Sequence, residues 1–90
     1  MRPIEFVELR GDPVVDGDSV RLAGRCYQGP IQVGDVFTEA GGHEVRLRVD
    51  GILFYGKPVP ELHPSESGQL TLTGDGSEHV VAGVSLRGAP

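Results

Sequence analysis

The amino-acid sequence predicts an all-β fold: a small, closed or partly open antiparallel β-barrel of Greek-key type, formed by residues 1–90 as a single domain. Short apolar runs recur from end to end, and none keeps a helical period over three turns. Fourteen glycines are dispersed along the chain, often beside Asp or Pro, as expected for turns between many short strands. Ninety residues provide for one hydrophobic core and not for two.

The first half of the chain contains the clearest strand. A first strand is predicted over residues 4–9, and a turn over residues 16–18 leads into a strand over residues 20–27. In that strand the side chains alternate between an inward set and an outward set. The inward set is Val20, Leu22, Gly24 and Cys26, and the outward set is Arg21, Ala23, Arg25 and Tyr27.

The middle of the chain continues the β pattern. Short strands are predicted over residues 31–33 and 36–39, and a strand over residues 45–49 has one apolar and one charged face. Asp50-Gly51 is either a two-residue hairpin turn or a bulge in a longer strand that continues through residue 55.

The last third holds a proline-rich segment between predicted strands. Three prolines within residues 56–64 predict a surface loop without ladder pairing. Two further strands are expected over residues 69–73 and over residues 79–86, separated by the turn Gly74-Asp75-Gly76.

Glycine and aliphatic residues in residues 24–36 follow the pattern G-x-V-x-x-G-x-I-x-V-G-D, with Cys26 at the first valine position. This order resembles domain 2 of elongation factor Tu and of related translational GTPases. Residues 17–24, 49–52 and 67–72 are similar to the flanking strands of that family, so the resemblance covers nearly the whole chain. It implies the family's accessory β-barrel, in which Asp50-Gly51 would be a bulge. A generic Greek-key or SH3-like barrel would use similar alternations of glycine and valine.

The chain also departs from that family. No G-x-x-x-x-G-K-[ST] motif is present, so neither GTP binding nor GTP hydrolysis is expected. The resemblance implies a docking barrel, which in the family contacts a nucleotide domain, transfer RNA or ribosomal RNA. Gln69 and Thr71 replace the family's polar contact residues, so transfer-RNA binding does not carry over.

Charge and composition restrict the partner further. The formal net charge of −5 disfavours generic nucleic-acid binding, although a local basic face would still act at contact range. No apolar run is long enough for a membrane span, and the first residues lack a signal peptide, so we expect a soluble, cytoplasmic protein. Cys26 is the only cysteine and is expected to be a small buried hydrophobe.

The sequence offers no arrangement of residues typical of catalysis or metal binding. The three histidines, His43, His63 and His79, are far apart and lie in or next to turns. The aspartates at positions 12, 16 and 18 lack the spacing of a calcium loop. No serine lies in a nucleophile motif. We therefore expect no enzyme activity, no cofactor and no bound metal.

The outward side chains of two strands form the candidate partner-binding site. Its residues are Arg21, Arg25, Tyr27, Arg46 and Arg48. If the two strands lie close together, four guanidinium groups and one ring could hold a carboxylate-rich or phosphate-bearing partner. The competing interpretation is that the arginines are solubilising charges paired with acidic residues on neighbouring strands. The predicted function is a non-catalytic module that docks a protein partner, with an RNA- or ribosome-associated module as the alternative.

Overall fold

A computed structural model describes residues 2–9 and 11–89 of the chain. Within these residues the protein consists of ten β-strands and one short 3₁₀ turn at Ser77–His79. The strands are β1 (Ile4–Glu8), β2 (Val14–Asp16), β3 (Ser19–Gln28), β4 (Ile31–Gln32), β5 (Val36–Ala40), β6 (His43–Phe54), β7 (Lys57–Pro58), β8 (Glu61–Leu62), β9 (Ser67–Asp75) and β10 (Ser85–Gly88). The described residues include no helix with the length and apolar character that crossing a bilayer requires.

Six of these strands close into an antiparallel β-barrel, which confirms the predicted fold class. The order around the barrel is β1, β10, β5, β6, β9 and β3, and β3 pairs with β1 to complete the circle. β2 extends the sheet beside β3, and β7 pairs with the end of β6. β4 and β8 form a separate two-stranded ribbon. Closure removes free edges from the main strands.

The barrel interior is filled by the inward side chains that alternation predicts. Val20, Leu22 and Cys26 of β3 are buried, and so are Leu70 and Leu72 of the neighbouring β9. The inward residues of β6 follow the same period and are Val45, Leu47 and Val49. The predicted register of both arginine-bearing strands is therefore confirmed.

Asp50 forms a β-bulge in β6. The ladder between β6 and β9 pairs Val49 with Leu72 and then Gly51 with Thr71, so Asp50 is the extra residue. β6 runs without interruption to Phe54, which shows that Asp50-Gly51 is a bulge and not a hairpin turn. The bulge resets the alternation, so Ile52 points inward and Leu53 outward.

Gly24 allows two strands of the barrel to approach closely. A Cβ atom at this position would lie 1.9 Å from the carbonyl oxygen of Val7 in β1. The inward position that this glycine takes in the alternation of β3 therefore has no room for a side chain.

The prediction of an unpaired surface loop over residues 56–64 was wrong. Lys57–Pro58 pairs with the end of β6, and Glu61–Leu62 pairs with β4. Pro58 tolerates this pairing because β7 is a two-residue strand that pairs with β6 on one side, and Pro60 and Pro64 lie outside the paired residues. Leu62 is fully buried and packs into the core, so the segment closes one end of the barrel.

The predicted last strand over residues 79–86 was also too long. The 3₁₀ turn takes up residues 77–79, and β10 begins only at Ser85. Val80 and Val84 are nevertheless buried, because the intervening loop covers the other end of the barrel. Their apolar spacing in the sequence was interpreted as strand alternation.

Candidate functional site

The five predicted partner-binding residues all lie on the outer surface. Arg21, Arg25 and Tyr27 are exposed on β3, and Arg46 and Arg48 are exposed on β6. Tyr27 stands at an irregularity of the β1–β3 ladder, where Glu5 pairs with Gln28 and the next pair skips to Cys26. We call the outward residues of β3, β9 and β6 the arginine face.

β9 lies between the two arginine-bearing strands and separates their side chains. Along β9, Arg25 is opposite Ser67, Arg21 is opposite Thr71, Arg48 is opposite Thr73 and Arg46 is opposite Asp75. Two strand spacings separate β3 from β6, about 10 Å, and the levels of Arg25 and Arg46 differ by about 26 Å along the strand. The four arginines thus run along the face in the order Arg25, Arg21, Arg48 and Arg46, and they do not converge in one cluster.

Most of these arginines lack an ionic partner. Among the described residues, Arg48 donates to Asp50 at 2.8 Å, whereas Arg21, Arg25 and Arg46 take part in no ion pair. The described arginines elsewhere are paired, Arg2 with Asp35 and Arg87 with Glu5. Pairing with neighbouring acidic residues therefore accounts for one of the four arginines on the face.

Asp50 organises the end of the face that holds Arg48. Its carboxylate accepts a hydrogen bond from the hydroxyl of Thr73 at 2.7 Å and another from Arg48. The bond from Thr73, followed by the bond and charge of Arg48, lowers the pKa of Asp50 below its ordinary value of 3.8. Arg48 is therefore held within this face and is less free than the other arginines to contact a partner.

The other end of the face contains a groove with a volume of about 740 Å³. Its floor is the backbone of Gly24 and Gly68, which contribute no side chains. The walls come from three strands and the turn after β6; they are Ala23, Leu53, Tyr55, Gly56, Ser67 and Gln69. Arg25 borders the groove because it lies directly opposite Ser67, and the Cβ atoms of such pairs lie about 5 Å apart.

Tyr55 is the most exposed large hydrophobic side chain of the described residues, with 88% of its surface accessible. Its ring contacts Phe54 edge to face, with centroids 4.6 Å apart. Its φ of 54° lies in the left-handed region, which is uncommon for a residue with a large side chain. The turn between β6 and β7 thus holds an aromatic ring at the rim of the groove.

Sequence reasoning missed the groove residues Leu53 and Tyr55. The sequence alone leaves open whether Asp50-Gly51 is a hairpin turn or a bulge, so it does not determine which residues after position 50 point inward. The outward position of Leu53 could therefore not be assigned. Tyr55 was available as a signal, since a tyrosine followed by glycine at the end of a strand is typical of an exposed turn.

The groups capable of catalysis do not converge in the described residues. Burial raises the pKa of the Cys26 thiol to about 11, so the thiol is protonated at neutral pH and is a poor nucleophile. His43 stacks on His79 with ring centroids 4.1 Å apart, and His63 lies between Glu61 and Glu66. No group of three or more His, Cys, Asp or Glu side chains is arranged to hold a metal ion in the described part of the chain.

Comparison with models of known families and with curated proteins finds no match for this chain. The resemblance to domain 2 of translational GTPases therefore stays a prediction from the sequence.

Proposed function

We propose that this protein is a non-catalytic binding module that docks an acidic surface of a protein partner through the arginine face. One observation carries the proposal: Arg21, Arg25 and Arg46 have no ionic partner among residues 2–9 and 11–89, although the chain has a net charge of −5. Exposed cations in an acidic protein keep their full charge for an incoming group. Complementary charges on the partner would speed association and set the orientation of docking.

Two features favour a protein surface as the partner. The outward residues of β9 are polar and, apart from Asp75 opposite Arg46, uncharged; the uncharged ones are Ser67, Gln69, Thr71 and Thr73. Such a strip can exchange hydrogen bonds with backbone and side-chain groups, as the rim of a protein interface does. The net negative charge of the chain opposes the long-range approach of a polyanion such as nucleic acid more strongly than that of a local acidic patch on a protein, because the repulsion grows with the charge of the partner.

Affinity capture from cell lysate tests the proposal when it compares matched variants. The wild-type protein should retain at least one protein that the double variant Arg21→Ser/Arg25→Ser loses, and retention should weaken as salt is raised. Arg87→Ser is the control, because it also removes an exposed arginine but lies on β10, outside the arginine face. Loss of a captured protein from the double variant alone supports docking by the face. Identical sets of proteins on all three would contradict it.

RNA binding by the same face is a second candidate function. The observation that favours it is the exposed ring of Tyr55 near Arg25, since bases stack on aromatic side chains and phosphates bind arginine. A gel-shift titration with transfer RNA and ribosomal RNA at several salt concentrations tests it. A shift that Tyr55→Asn and Arg25→Ser both abolish would favour RNA, and no shift at low salt would rule it out.

A further inference from the structure

The groove combines an apolar wall with unpaired cations at its margin. Ala23 and Leu53 face each other across Gln69 of β9, and Tyr55 continues the apolar wall on the side of β6. No acidic side chain lines the groove among the described residues. A ligand in this groove can therefore place an apolar group against Leu53 and Tyr55 and a hydrogen-bonding group beside Gln69.

Two arginines of β3 lie at a regular spacing near the groove: Arg25 borders it, and Arg21 lies beyond Ala23 in a neighbouring cavity that Glu8 and Asp12 also line. Arg21, Ala23 and Arg25 are successive outward residues of β3, so the two arginines stand one pleat on either side of Ala23. Four residues of extended chain separate the guanidinium-bearing positions, about 13 Å. Neither arginine has an ionic partner in the described structure. The face of β3 beside the groove thus presents cation, small apolar residue and cation in that order.

The turn between β6 and β7 displays the ring of Tyr55. Tyr55 and Gly56 are the two residues between the paired Phe54 and Lys57, and both have a positive φ, 54° and 77°, as a type I′ hairpin turn requires. The turn therefore accounts for the left-handed conformation of Tyr55. Its ring is almost fully exposed and contacts Phe54, so it stands available at the rim of the groove.

We propose that the groove binds an extended acidic segment of the partner, with the pattern acidic–x–apolar–x–acidic. The apolar side chain would lie in the groove against Leu53 and Tyr55, over the backbone of Gly68. The two acidic side chains would meet Arg21 and Arg25. This rests on the proposed function, because it specifies which part of the partner contacts the arginine face.

The spacing of the pattern follows from strand geometry. Residues one, three and five of an extended segment project to the same side and span the same distance as Arg21 to Arg25. A segment that lies along β3 can therefore match both cations and the groove in one register. Carboxylates suit these sites because the arginine donors can form bidentate, charge-assisted bonds with them.

Fluorescence anisotropy with labelled synthetic peptides tests the proposal. The probe has glutamate at positions one and five, leucine at position three and serine elsewhere. A matched peptide with the same composition places both glutamates together at one end, and a third peptide replaces the leucine with serine. The patterned peptide should bind at least about tenfold more tightly than either, because each control loses one matched contact.

Protein variants locate the binding site. Tyr55→Asn should weaken binding of the patterned peptide several-fold, while its thermal midpoint stays unchanged or rises, because asparagine tolerates the left-handed conformation. Arg21→Ser/Arg25→Ser should remove the preference for spaced glutamates. Arg87→Ser should bind as the wild type does. Unfolding curves for each variant show whether a loss of binding comes from the site or from the fold.

The outcomes separate this inference from the proposed function. Capture from lysate could depend on Arg21 and Arg25 while the patterned peptide binds no better than its controls. The partner would then bind through a folded surface, and the proposed extended segment would be wrong. If capture is also independent of both arginines, the proposed function fails as well.

Two other occupants would also overturn the inference. One is an RNA oligonucleotide that displaces the peptide and binds more tightly. The other is a second copy of this chain, detected as self-association that Tyr55→Asn abolishes in analytical ultracentrifugation.

Discussion

Leu47→Ala and the double change Arg46→Ser/Arg48→Ser should have very different effects on stability, although the three residues are consecutive in β6. Leu47 is fully buried and lies opposite Phe37 in one ladder and Gly74 in the other. Truncating a buried leucine costs about 2–5 kcal/mol, depending on how far the surroundings collapse. Gly74 has no side chain that could fill the space, so we expect a cost in the upper half, about 3–5 kcal/mol.

The two arginines should contribute little to stability. Arg46 has no ionic partner in the described part of the chain, and the pair between Arg48 and Asp50 is exposed, with 63% of the Arg48 side chain accessible. Exposed ion pairs contribute at most about 1 kcal/mol, which sets the expected limit for the double variant. Urea denaturation followed by circular dichroism measures both free energies of unfolding. If the double arginine variant lost as much stability as Leu47→Ala, these arginines would be structural and the arginine face could not be a free docking surface.

Three further predictions follow from the local geometry. Gly24→Ala should prevent the normal closure of β1 on β3 and lower the free energy of unfolding by more than about 3 kcal/mol. Gly51→Ala is the control, because nothing lies within 4 Å of the added Cβ atom. It should change the free energy of unfolding by less than about 1 kcal/mol, and urea titrations measure both values. Burial raises the pKa of Cys26 from 9.0 to about 11, so the unfolded thiol ionises first and the free energy of unfolding should fall between pH 9 and 11; Cys26→Ala should remove that dependence. The lowered pKa of Asp50 contributes stability that is present above pH 3.8 and lost as the pH falls through the folded value. Thr73→Val should raise this pKa towards 3.8 in a carboxyl NMR titration, because the hydroxyl of Thr73 is the largest cause of the shift.

The strand alternation and the barrel class were predictable from the sequence because they depend on local period. Val20, Leu22, Val45 and Leu47 alternate with charged residues over several positions, and only an inward set of this kind fills a small barrel. The strand ends were less predictable. Pro58 forms a ladder pair because β7 is an edge strand beside the end of β6, and this tertiary position cannot be read from the propensity of proline.

The candidate site was predictable only in part. Exposure of Arg21, Arg25, Arg46 and Arg48 follows from alternation, and the structure shows each of them outside. Their mutual distance depends on strand order, and a local pattern does not state that β9 lies between β3 and β6. The single cluster considered in the sequence analysis thus becomes a row of arginines spread along the face, of which Arg25 borders the groove.

The bulge at Asp50 connects the fold of the barrel to the chemistry of its outer face. An unbulged β6 would put residue 53 inward, in phase with Val49, and would remove the apolar wall opposite Ala23. The extra residue moves Leu53 outward, and its own carboxylate engages Arg48 and Thr73. One inserted residue therefore turns Leu53 outward at the level of Ala23 and supplies the carboxylate that engages Arg48. The part of the arginine face at the groove differs for this reason from the part near Arg48, and under our proposal it is where an acidic partner would meet both an arginine and an apolar contact.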